Sequence, residues 1–159
     1  MFYHGQGGLP KDEKKSLEYL HQSAHQGCAD AQLNLSVVYF KGEAGVSKNL
    51  KKSLAFLKQA ADQGLAEAQF QLAETYFYLF AEFGLPKDER KAVELWKKAE
   101  SQGLAEAQFR LAGMYYLGLV GLPEDQEKAM ELLKKAADQG LPQAQEMLSP
   151  KSSQKKKSG

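Results

Sequence analysis

Gln63-Gly64-Leu65-Ala66-Glu67-Ala68-Gln69-Phe70 is spelled again, residue for residue, as Gln102-Gly103-Leu104-Ala105-Glu106-Ala107-Gln108-Phe109. A looser copy precedes the pair, Gln26-Gly27-Cys28-Ala29-Asp30-Ala31-Gln32-Leu33, and a fourth follows, Gln139-Gly140-Leu141-Pro142-Gln143-Ala144-Gln145. The glycines stand at 27, 64, 103 and 140, so the spacings are 37, 39 and 37 residues. A fixed period of this size marks units that cannot bury their apolar faces alone and do so by stacking on their neighbours. The expected fold is therefore an all-α solenoid. Its function is to be sought on a surface, because no catalytic constellation organises the chain.

Working outward from the glycines, each one ends a helix at the C′ position. Asp88 to Gln102 shows the pattern. Ala92, Val93, Leu95, Trp96 and Ala99 fall on one helical stripe, with Lys91, Glu94, Lys97 and Lys98 on the other side. Leu20, Leu57 and Leu133 stand where Trp96 does, which makes this a core position. Each such helix is preceded by a turn: Gly8-Leu9-Pro10-Lys11-Asp12, Gly45-Val46-Ser47-Lys48-Asn49, Gly84-Leu85-Pro86-Lys87-Asp88 and Gly121-Leu122-Pro123-Glu124-Asp125. Asp12, Asn49, Asp88 and Asp125 are the expected N-caps, their side-chain oxygens accepting from the open amides of the first turn.

The helix after each glycine carries alanine, leucine and tyrosine at i, i+4 and i+8. These are Ala31, Leu35 and Tyr39, then Ala68, Leu72 and Tyr76, then Ala107, Leu111 and Tyr115. Residues so spaced share a face, and the small alanine allows close approach of a second helix. Each unit is thus a helix pair. The chain divides into a partial repeat over 1–27, full repeats over 28–64, 65–103 and 104–140, a half-repeat cap over 141–150, and a basic tail over 151–159 expected to be disordered. Phe2-Tyr3-His4-Gly5 aligns with Tyr39-Phe40-Lys41-Gly42, so Met1 is expected to open partway through a repeat, with the natural start further upstream.

Composition excludes several classes of function. The 159 residues are 43% hydrophobic and 26% charged, as in an ordinary globular domain. The overall net charge is +1 with four lysines after Pro150, so residues 1–150 carry −3 and offer no footprint for nucleic acid. No run of about 18 apolar residues is present to insert into a membrane, and residues 1–8 do not form a signal peptide. Nothing fixes a localisation. Cys28 is the single cysteine, aligned with Leu65, Leu104 and Leu141, and is expected to be a small apolar junction residue. His21, His25 and Cys28 have a spacing that metal ligands can use. Lys58 and Asp62 replace the histidines in the next unit, so a wet surface is the expected environment and no metal or other cofactor is assigned. Glu67 and Glu106 lie in first turns, where a carboxylate suits the helix dipole. With no paired group in a cleft, no catalytic residue is assigned.

These residues resemble the Sel-one-like repeat family, a relative of the tetratricopeptide solenoids. The likeness rests on Ala68-Gln69-Phe70-Gln71-Leu72-Ala73-Glu74-Thr75-Tyr76, on Leu85-Pro86-Lys87-Asp88, and on Lys91-Ala92 through Trp96 to Ala99 and Gly103. It runs in register over residues 2–148. The unit over 65–103 departs from it, with two extra residues and an aromatic loop, Tyr78-Leu79-Phe80-Ala81-Glu82-Phe83, in place of the glycine kept as Gly42 and Gly118.

The resemblance implies a right-handed α-solenoid of antiparallel helix pairs, used as a protein-interaction scaffold without a cofactor. In such stacks the face of the first helices turned away from the Ala-Leu-Tyr core lines a concave groove. The residues expected there are Leu33, Val37 and Phe40, then Phe70, Glu74 and Phe77, then Phe109 and Tyr116, with Asn34, Gln71 and Arg110 orienting a partner segment. The rival implied by the family is a hydrolase acting on cell-wall-like or β-lactam compounds, suggested for cysteine-rich relatives. Those relatives staple each repeat with a cysteine pair, and Cys28 is alone. A third reading is a homo-oligomer, with another copy stacked on the open N-terminal end.

Overall fold

Glycine decides where four of the helices stop. At Gly27, Gly64, Gly103 and Gly140, φ lies between 86° and 92°, a left-handed conformation that costs side-chain-bearing residues free energy. At Gly64 the backbone reverses through two bonds. The Gly64 N–H reaches the Ala61 carbonyl at 2.9 Å, and the Leu65 N–H reaches the Ala60 carbonyl at 3.3 Å. This Schellman pairing satisfies carbonyls that the helix end would leave open. The same two bonds recur after Gly27, Gly103 and Gly140.

The computed structural model describes residues 10–150. Among them the chain forms eight α-helices and no strand: α1 Pro10–His25, α2 Ala29–Lys41, α3 Leu50–Asp62, α4 Ala66–Phe77, α5 Glu89–Ser101, α6 Ala105–Leu117, α7 Gln126–Asp138 and α8 Pro142–Leu148. Consecutive helices pack on one another throughout, most closely α2 on α3, α4 on α5 and α6 on α7. This is the expected α-solenoid of helix pairs. The turn expected over residues 2–5 and the tail over 151–159 lie outside the described residues.

Asn49, Asp88 and Asp125 cap α3, α5 and α7, each side chain accepting from the N–H three residues on at 2.9–3.0 Å. Asp12 does not cap α1. That helix begins at Pro10, which places Asp12 within its first turn, where its charge still favours the dipole. Each capping residue also ties its helix to the one before. The N–H groups of Asn49, Asp88 and Asp125 donate to the carbonyls of Tyr39, Tyr76 and Tyr115. Lys52, Lys91 and Lys128 lay their ammonium groups 4.7–5.1 Å from the same tyrosine rings, a cation–π contact in each unit.

The core is built as the helical stripes require. Ala31, Ala68 and Ala107, Leu35, Leu72 and Leu111, and Tyr39, Tyr76 and Tyr115 are all buried. Trp96 has no exposed surface. At the turn after α2, a Cβ on Gly42 would stand 2.8 Å from the Lys48 backbone nitrogen. Its φ of 71° excludes side chains on a second ground.

Glutamine links one unit to the next. Gln32, Gln69 and Gln108 are buried polar side chains. Gln32 donates to the Ala24 carbonyl at 3.1 Å, and Gln69 to the Ala61 carbonyl at 3.5 Å. Their acceptor oxygens receive the amides of the C-cap glutamines at the far end of the same unit: Gln63 to Gln32 at 2.6 Å, Gln102 to Gln69 at 3.0 Å and Gln139 to Gln108 at 2.9 Å. Gln102 and Gln139 also donate to the carbonyls of Gly64 and Gly103, at 2.8 and 2.7 Å. The Ala-Gln half of one copy of the stretch and the Gln-Gly half of the next are therefore partners across a single unit. Replacing Gln32 by leucine keeps bulk but removes both bonds, while the Ala24 carbonyl keeps the Gly27 N–H and exposed Gln63 turns to water. Urea unfolding should show a loss of about 1–3 kcal/mol. Gln63→Leu should then cost less in the Q32L background than in wild type. Strict additivity would show that the two amides are not coupled.

Candidate partner-binding face

Three helices, α2, α4 and α6, repeat the same positions along one face. Asn34, Gln71 and Arg110 are equivalent, as are Val37, Glu74 and Gly113, and Lys41, Tyr78 and Leu117. Asn34, Lys41, Tyr78, Gly113 and Leu117 are exposed, and Val37, Gln71, Glu74 and Arg110 are half-buried. The position one residue earlier lies about 100° round the helix and meets the neighbouring unit instead. There Leu33 is 5% exposed and belongs to the hydrophobic core. Leu33 is thus corrected from the groove to the interior. Phe70 and Phe109, at its equivalent positions, are half-buried and pack against the same core.

The last ring of each helix differs by unit. Phe40 stacks on Phe83, with ring centres 5.7 Å apart and planes 3° from parallel. Phe77 rests on buried Trp96 at 5.2 Å and on Tyr78 at 4.7 Å. Tyr116 is 53% exposed. Tyr78, Leu79, Leu117 and Leu119 are also exposed, so an apolar rim follows the C-terminal ends of α4 and α6. Exposed apolar side chains gathered in this way mark interaction surfaces more than scattered ones do.

An ion pair crosses the middle of the face. Arg110 donates through Nε and Nη2 to both carboxylate oxygens of Glu74, at 2.9 and 2.8 Å. Its guanidinium also lies 5.4 Å from the Tyr78 ring. The hydrogen bond to Glu74 is the main cause raising the Arg110 pKa. The fork geometry binds α6 to α4 and fixes the arginine plane where a partner chain would pass.

Residues away from this face depart from expectation in two places. His21 is half-buried rather than wet: its Nε2 lies 3.1 Å from the Tyr39 hydroxyl, and its ring meets His25, Tyr39 and Phe56 edge-on. Cys28 is exposed at the N-terminus of α2 and is not packed in a junction. The Ala31 amide, then the Ser23 side chain, hold its thiol below the ordinary value. Glu67 and Glu106 occupy the first turns of α4 and α6. Sequence reading missed Tyr78 and Leu117 on this face, although their place fourteen residues after Gly64 and Gly103 was visible.

The Sel1 repeat model matches four times, over residues 1–28, 29–65, 66–104 and 105–141. Among solved structures, a Sel1 repeat protein from Oxalobacter formigenes is 33% identical. The match covers 84% of this chain and 97% of that one, with a TM-score of 0.75. A protective antigen present in uropathogenic Escherichia coli strains, displaying an SLR fold, is 36% identical over 78% of this chain, with a TM-score of 0.68. The match spans 26% of that antigen's length. Helicobacter pylori cysteine-rich protein B shares the fold at 22% identity, over 91% of this chain and all of its own, with a TM-score of 0.61. A search of curated proteins finds no match.

His21 makes the first helix sensitive to acid. Burial, then His25, then Lys52 lower its pKa below the ordinary value of about 6.5. The folded state therefore binds this proton less readily than the unfolded state. Its contribution to stability is complete above the ordinary value and is lost as pH falls through the lowered one. Protection factors, taken relative to the intrinsic exchange rate at each pH, should fall in α1 between pH 7.5 and pH 5 more than in α5. His21→Gln should flatten that difference.

Proposed function

The chain belongs to the Sel1 repeat family, and from that premise we propose that the face formed by α2, α4 and α6 holds an extended segment of a protein partner. Sel1 repeat proteins are generally protein–protein interaction modules and generally not enzymes. The observation that carries the reading is the register of unlike groups along that face. Polar groups recur at Asn34, Gln71 and Arg110 on successive helices, beside the exposed rim of Tyr78, Tyr116 and Leu117. The Asn34 and Gln71 amides, at one spacing, suit a main chain running across the helices. Aromatic side chains beside them supply anchors of the kind that dominate binding energy. Equivalent helices of neighbouring units lie about one helix diameter apart, roughly 10 Å, about three residues of extended chain. The partner would thus meet each unit once per three residues.

The half-buried rings Phe70, Phe77 and Phe109 serve this face from behind, holding the core against it. Val37 and Phe40 line its first third, and the Glu74–Arg110 pair its centre.

The test separates binding from folding. Tyr78→Ser with Tyr116→Ser removes two exposed rings, and the melting temperature should stay within about 2 °C of wild type, as expected for surface changes near ±0.5 kcal/mol. A partner enriched on wild-type bait should be held more weakly by roughly 2 kcal/mol or more. Equal retention on the folded double variant would move the interface elsewhere. Capture of a second copy of this chain, seen as mass that rises with concentration in sedimentation, would favour self-association instead.

A further inference from the structure

The two extra residues in the unit over 65–103 build a recess absent from the repeat pattern. It lies between α2, α3 and α4, is closed by the loop over 78–84, and holds about 210 Å³. Val37, Phe40, Leu57, Thr75, Leu79 and Phe83 form its apolar walls. Phe83 comes from the longer loop and is held there by the parallel stack on Phe40. Glu82, beside it, pairs with Lys48 at 3.0 Å.

Comparison with the next junction, between α4 and α6, shows why the space exists. There Trp96 stands where Leu57 does, Met114 where Thr75 does, and Phe77 where Phe40 does. Trp96 is fully buried, Met114 is buried and Phe77 lies against the indole, so these larger side chains take up the volume. The indole does so with its Nε1 lacking a hydrogen-bond partner. The first junction has the smaller pair, and its helix is walled by the loop.

We infer that this recess receives one bulky aliphatic or aromatic side chain from an uncharged, extended peptide segment of the partner. This rests on the reading of the α2–α4–α6 face given above. Three observations select that occupant. No lining residue is charged. Two of the three hydroxyls in the walls are spent internally, Ser53 on the Ser36 carbonyl at 2.7 Å and Thr75 on the Gln71 carbonyl at 2.9 Å. The ions around the mouth are already matched as Lys48–Glu82, Lys41–Glu43 and Arg110–Glu74. A charged side chain would find no charged residue in the lining to pair with and would lose its hydration. An apolar one would lose only water contact, and a cavity of roughly 150 Å³ already holds a benzene-sized guest. Gln71 at the wall and Asn34 nearby remain to meet the peptide main chain.

The probes are N-acetylated, C-amidated octapeptides of serine, threonine, glutamine and glycine that differ only at a central residue: leucine, phenylalanine, alanine or aspartate. They are titrated into the wild-type chain and followed by backbone amide NMR. The leucine or phenylalanine peptide should perturb Val37, Thr75 and Phe83 and bind about tenfold or more tightly than the alanine or aspartate peptide. Raising salt tenfold should leave that affinity within about twofold, since no net charge is matched. Thr75→Met, a residue the next junction already accommodates, should fill the recess and remove the preference while the fold stays intact.

Equal affinity across the central residues, or a leucine preference that survives T75M, overturns the assignment. If the preference survives T75M but is lost in the Tyr78→Ser, Tyr116→Ser variant, the binding face stands and only the recess is wrong. Absence of any perturbation on α2, α4 or α6 at millimolar peptide overturns both.

Discussion

Adjacent units are coupled by glutamine side chains that donate to main-chain carbonyls of the unit before, and the geometry of the stack depends on them. A stacked pair of helices held by leucine and alanine alone could slide or rotate with little change in buried area. The C-cap glutamine of each unit must meet the buried glutamine of its own unit and, in two of three cases, the glycine carbonyl of the unit before it. Each bond contributes only about 0.5–1.5 kcal/mol net, but a buried amide left unmatched costs more than it would gain. The penalty for misregister is therefore larger than the reward for register. That asymmetry makes the glutamines a device for specificity as much as for stability.

The binding face inherits its shape from this coupling. Asn34, Gln71 and Arg110 form a row only because α2, α4 and α6 are held at one repeat vector, and the forked Glu74–Arg110 pair adds a second tie along the face itself. Aromatic residues there divide their surface between two tasks. Phe77 presses on Trp96, Phe70 and Phe109 on the core, while Tyr78 and Tyr116 stay exposed. Removing the former group loosens the scaffold, whereas removing the latter changes mainly what the scaffold offers.

Departures from the repeat are where individuality enters. Three full units share caps, tyrosine contacts and the glycine turns that end α3, α5 and α7, so none of these distinguishes one partner from another. The unit over 65–103 replaces a glycine turn with a longer aromatic loop, and the loop folds back on Phe40 of the preceding unit. One local insertion thus changes a junction, because in a solenoid each element touches only its neighbours.

Helix number, helix ends, the Ala-Leu-Tyr core and the caps at Asn49, Asp88 and Asp125 were all legible in the sequence. Each follows from a rule acting over a few residues: a helical period of 3.6, a glycine's access to positive φ, a side-chain oxygen one turn from open amides. The glutamine pairs and the place of Leu33 were not legible, and neither was the half-burial of His21 and of the groove phenylalanines. Those depend on which side of one helix meets the next unit, and a shift of about 100° turns a surface residue into a core one. The repeat pattern shows that Leu33, Phe70 and Phe109 are equivalent. Only the packing of α2, α4 and α6 against their neighbours decided that the position faces inward, leaving Asn34, Gln71 and Arg110 to face out.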